Sequence, residues 1–77
     1  MRRNENPVRT DEEQIVWYRG IRDAAEAQLN LIDEGWRFER STGTQPRVDV
    51  TEEFAARERQ TIETMDRLIK MYEARRA

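Results

Sequence analysis

The chain has 77 residues, 36% of them hydrophobic and 39% charged, with a net charge of -2. A chain of this length hides only about 60% of its unfolded surface on folding, which bounds it to one small domain with a thin core. It contains neither cysteine nor histidine, and so has no disulfide staples, thiolate zinc sites, cysteine nucleophiles or imidazole bases.

Mean hydropathy is -1.07, yet the apolar residues recur in order. No apolar run approaches the roughly 20 residues that cross a bilayer, and no signal peptide is visible. The expected setting is the cytoplasm or a particle assembled there, with no membrane partner. Residues 10–35 concentrate negative charge, with Arg19 and Arg22 set against seven carboxylates. No segment forms a basic stripe, which argues against nucleic-acid binding by residues 10–77. All the cations but Lys70 are arginine, which fits either GC-rich codon usage or arginine-rich interface chemistry.

Residues 1–9 lack periodicity and contain Pro7, and read as a flexible N-terminal arm. A single domain then spans 10–77. Its first helix is expected over 10–35. Thr10 and Glu13 have capping-box spacing, and Asp11, Glu12 and Glu13 place negative charge at the positive end of the helix dipole. Ile15, Trp17, Tyr18, Ile21, Ala24, Ala25, Leu29, Leu31 and Ile32 cover an arc of about 200°, wider than one neighbour needs. Gly20, at the edge of the arc, either admits another backbone or is a tolerated defect costing about 1 kcal/mol. Gly35 ends the helix through its access to positive φ.

A hairpin is expected over 36–50. Trp36, Arg37, Phe38, Glu39 and Arg40 alternate apolar and polar, as do Arg47, Val48, Asp49 and Val50, around a Gly43 loop. A register symmetric about Gly43 pairs Trp36 with Val50, Phe38 with Val48, Arg37 with Asp49 and Glu39 with Arg47. The apolar face formed by Trp36, Phe38, Val48 and Val50 would pack on the helices.

The second helix is expected over 51–76 with Thr51 as N-cap. Phe54, Thr61, Ile62, Met65, Leu68, Ile69 and Tyr72 form its stripe. Glu53–Arg57, Glu63–Arg67 and Asp66–Lys70 are spaced for i,i+4 pairs. The fold class is therefore α+β, a helix–β-hairpin–helix (αββα) with antiparallel helices.

No catalytic residues, cofactor site or metal site emerge. The carboxylate pairs sit at helix ends, where capping accounts for them, and no glycine-rich phosphate loop exists. The chain reads as a non-enzyme. Trp17, on the flank of the wide arc beside Val16, reads either as an interface anchor or as a cap on the hairpin. Val16, Trp17, Arg19 and Gly20 form the candidate interface, and Arg2, Arg3 and Arg9 are the candidate arm contacts.

A long helix closing at Gly35, a short hairpin, then Val48-Asp49-Val50-Thr51-Glu52-Glu53-Phe54-Ala55 leading into an arginine-rich helix with Ile62 and Leu68 resembles the phage head-completion, or head–tail joining, proteins of the lambda W type. The resemblance covers roughly residues 11–74. The family carries its basic tail at the C-terminus, whereas here Arg2 and Arg3 lie on the N-terminal arm. The resemblance implies a virion protein assembled in the host cytoplasm. It would form a homo-oligomeric ring between portal and tail or neck proteins, with the arm reaching a partner or packaged DNA. The alternative is a small phage-encoded regulatory or inhibitor module docking on a larger complex.

Overall fold

A computed structural model describes residues 9–76, with side chains through Arg75. Two helices, α1 (Asp11–Asp33) and α2 (Thr51–Arg76), lie side by side and are joined by strands β1 (Glu39–Arg40) and β2 (Val48–Asp49), which pair antiparallel. The expected helix–hairpin–helix architecture is present, with the helices dominating. The arm over residues 1–8 lies outside the described residues.

The ends of α1 form as their sequence dictates. Glu13 N–H donates to Thr10 Oγ1 at 3.1 Å, and Thr10 N–H donates to Glu13 Oε1 at 2.9 Å, closing the capping box. At the other end Gly35 takes φ +104°. Its N–H donates to the Ile32 carbonyl and that of Trp36 to the Leu31 carbonyl, the paired bonds of a Schellman stop.

The helices meet along a seam whose steps alternate between three and four residues, as in an antiparallel coiled coil. On α1 the seam runs through Ile15, Tyr18, Arg22, Ala25, Leu29 and Ile32, and on α2 through Ala55, Glu58, Ile62, Met65, Ile69 and Tyr72, all buried or half-buried. Only Ile15, Ala25, Ala55 and Ile69 are buried apolar side chains among the described residues. Tyr18 meets Tyr72 edge-on, with ring centroids 5.6 Å apart. The molecule measures 49 × 37 × 15 Å. A helix with side chains is about 10–12 Å across, so the short dimension holds one layer of helices.

The hairpin departs from expectation in register. Glu39 faces Asp49 and Arg40 faces Val48, a slip of two residues from the symmetric pairing. A two-residue slip leaves every side chain on its own face, so alternation alone cannot distinguish the two registers. The expected charge pairs survive diagonally: Arg37 reaches Asp49 at 2.9 Å and Arg47 reaches Glu39 at 3.4 Å. The slip follows from where Phe38 bonds. Its N–H donates to Thr51 Oγ1 at 2.8 Å, and its carbonyl accepts from Val50 N–H at 2.8 Å.

The expected apolar face of the hairpin is therefore only half used. Phe38 stacks on Phe54 with ring centroids 4.4 Å apart, and Val50 is half-buried. Trp36 and Val48 stay more than half exposed. Thr51 also differs from its expected capping role. It is the first residue of α2 and is completely buried. Asp49 serves that helix end instead, accepting Thr51 N–H on Oδ1 at 2.8 Å. Asp66 turns to Arg22 across the seam rather than to Lys70.

Candidate interaction surface

The two flanks of the seam differ in chemistry. On one side the residues next to the seam are Glu12, Arg19, Glu26 and Asp33 of α1 and Glu52, Arg59, Asp66 and Glu73 of α2, all exposed. Arg19 reaches Glu73 at 2.9 Å on this side, and Arg22 leans out from the seam to Asp66 and, at 3.4 Å, to Glu26. The hydrogen bond and charge of Asp66 raise the Arg22 pKa further. Two shallow depressions open here. One is lined by Glu12, Glu13, Ile15, Val16 and Arg19, the other by Ala56, Arg59, Gln60, Ile62, Glu63 and Asp66.

On the opposite side the flank consists of Gln14, Ile21 and Gln28 from α1 and Phe54, Thr61 and Leu68 from α2, all half-buried. One position further out lie Trp17, Ala24 and Leu31 on α1 and Arg57, Thr64 and Met71 on α2. Because the helices run antiparallel, residues at matching heptad positions fall on the same side of the pair. This flank is an apolar face with few charges. Trp17 is 48% exposed and Met71 53%. The hairpin reaches the face at one end, through Phe38 on Phe54.

The wide apolar arc of α1 is thereby accounted for. Part of it builds the seam with α2, and the remainder (Trp17, Ile21, Ala24 and Leu31) lines the open face. The residues singled out from the sequence separate onto different surfaces. Trp17 belongs to the open face. Val16, 65% exposed, lines the depression beside Arg19 and with Gly20 forms the outer edge of α1; beyond the adjoining backbone of α1, no described atom comes within 4 Å of a Cβ built on Gly20. Arg19 belongs to the charged flank and is engaged by Glu73. Arg9 places its guanidinium 4.4 Å from the centroid of the Trp17 ring, a cation–π arrangement. Arg2 and Arg3 lie outside the described residues.

Met71, Leu68 and Phe54 complete the face from α2. Their positions on the face follow from the three-and-four spacing of that helix, which fixes its seam and hence its flanks. Among the described residues no cluster of three or more carboxylates is disposed to hold a metal ion, and no helix is long and apolar enough to cross a membrane. Every buried side-chain polar atom among them has a hydrogen-bond partner. Comparison with known proteins returned no matching family model, no matching curated protein and no matching solved structure.

Proposed function

We infer that this chain is a non-catalytic structural component of a phage or phage-like particle, a head–tail connector whose copies assemble as a ring between portal and tail. One observation supports assembly above the others: a single helical layer leaves the face carrying Trp17 and Met71 open to solvent. Domains ordinarily bury their apolar faces between two packed layers. The phage setting comes from the resemblance of the hairpin and second-helix sequence to the lambda W type proteins.

A ring needs two different surfaces on each copy, because a surface that pairs with itself closes on a dimer. The Trp17 face and the α1 edge bearing Val16 and Gly20 are two such surfaces. In this reading Arg19 stands at the rim of the contact, Arg9, which lies over the Trp17 ring, joins the contact made by that face, and Arg2 and Arg3 reach a partner or packaged DNA.

The test is to mix the purified chain with the portal ring of the same phage and measure the mass of the product. A complex with a fixed whole-number complement of this chain per portal ring is expected. Trp17→Asp is expected to abolish that complex while leaving helix content near wild type. Failure of the wild-type chain to bind the portal, or unchanged assembly of Trp17→Asp, overturns the reading. Stable one-to-one binding to a host complex instead would identify the chain as an inhibitor module.

A further inference from the structure

The open face can be assigned an occupant for the chain when it is free of any portal. We propose that a second copy of this chain covers it, face to face, making a four-helix bundle. The proposal rests on the open face used above and is independent of the phage setting.

Three observations favour a second copy. The first is charge. Along the face, Trp17, Ile21, Ala24, Gln28, Leu31, Thr61, Thr64, Leu68 and Met71 are uncharged; its charges lie at its two ends, Arg57 at one, and at the other Arg9 over the Trp17 ring and Arg75 paired with Asp11 at 3.4 Å, so two copies meet across an uncharged middle. The opposite flank, with its rows of exposed Glu, Asp and Arg, offers the uncharged middle of this face no apolar partner. A face that finds its best match in itself closes on a two-fold dimer.

The second is area. A 23-residue helix is about 34 Å long, and a packed pair is about 20 Å wide, which offers about 700 Å² per copy. Doubled, this falls within the roughly 1,200–2,000 Å² that a specific interface buries.

The third is thickness. One layer 15 Å deep leaves Ile21 and Leu68 half-buried. A second layer on the same side would complete their burial and produce the two-layer arrangement on which four-helix bundles are built. Gln28 and Thr64 are polar but uncharged, suited to hydrogen bonding across such a contact, while the Thr61 hydroxyl donates to the Arg57 carbonyl at 3.1 Å within its own helix.

Sedimentation equilibrium of the purified 77-residue chain tests the proposal. The expected mass is twice the 9.3 kDa of the monomer at tens of micromolar. Met71→Glu, an exposed position on the face, is expected to return the mass to that of the monomer with an unchanged far-ultraviolet dichroism spectrum. Val16→Glu, more exposed still but on the outer edge, is expected to leave the dimer intact. A monomeric wild type overturns the proposal, and so does a dimer that Val16→Glu disrupts and Met71→Glu does not. A free ring without a dimer also overturns it while favouring the connector. A dimer that ignores the portal leaves the proposal standing and removes the connector.

Discussion

Thr51 joins three segments through one side chain. It is completely buried, its Oγ1 accepts Phe38 N–H at 2.8 Å, and its own N–H is held by Asp49. Valine has nearly the same shape but cannot accept a hydrogen bond, so Thr51→Val leaves the Phe38 amide without its partner. A polar group stranded in this way costs about 1–3 kcal/mol. Urea unfolding is expected to show a loss in that range for Thr51→Val and a smaller one for Thr51→Ser, which keeps the hydroxyl. Amide exchange at Phe38 should accelerate only in the valine variant. The acid side of the same junction has a pH signature. The Thr51 hydroxyl, the Thr51 backbone N–H and the Arg37 guanidinium together lower the Asp49 carboxyl from 3.8 to about 2. The folded state therefore binds fewer protons than the unfolded state between those values. The contribution of Asp49 is complete above its unfolded value and is lost as pH falls through its folded one. Acid titration of stability is expected to slope downward between 3.8 and about 2, and Asp49→Asn should flatten that slope.

At the scale of the helices, neighbouring residues in sequence have opposite roles. Ile15 is 2% exposed in the seam, while Val16 is 65% exposed on the edge. Truncating a buried isoleucine to alanine costs about 2–5 kcal/mol, a large share of the stability of any small domain. Ile15→Ala is expected to lose that much in chemical denaturation, whereas Val16→Ala should fall within about 0.5 kcal/mol of wild type. The sequence alone discloses much at this scale. The capping box of Thr10 and Glu13 and the glycine stop at Gly35 are local signals, and each produces the local structure it predicts, whereas the change of period at Trp36 yields a hairpin whose strands shrink to Glu39–Arg40 and Val48–Asp49. The excess width of the α1 arc also speaks directly of surface left over. The hairpin register was hidden, because parity is all that alternation encodes and a shift of two conserves parity. It is decided by a hydrogen bond between Phe38, just ahead of β1, and Thr51, the first residue of α2. The pairing of Arg19 with Glu73 was equally hidden, since it depends on how two helices separated by a hairpin align. Which part of the arc would be covered could be decided only by combining both helices. The seam phase of α2, readable from Ala55, Ile62 and Ile69 at seven-residue spacing, fixes which flank of each helix is apolar.

For the whole molecule, the decisive quantity is how much of its stability comes from outside a single copy. Four buried apolar side chains among the described residues make a slender core, and chains of this size rarely gain more than about 3–5 kcal/mol from one core. If the open face is covered by a second copy, folding and association become linked, and the thermal midpoint depends on concentration. Each tenfold increase in concentration adds about 0.7 kcal/mol per copy to a folded dimer, which for a domain of this length raises the midpoint by about 3–6 °C. Calorimetry over a hundredfold range of concentration is expected to show that rise for wild type. Met71→Glu should abolish the dependence and hold the midpoint near the wild-type value at the dilute end, because Met71 is exposed in the single copy and its replacement leaves the seam untouched. A wild-type midpoint that stays constant across that range would mean that the two-helix layer is stable with its apolar face against water, and that neither partner copies nor a second layer contribute to its folding.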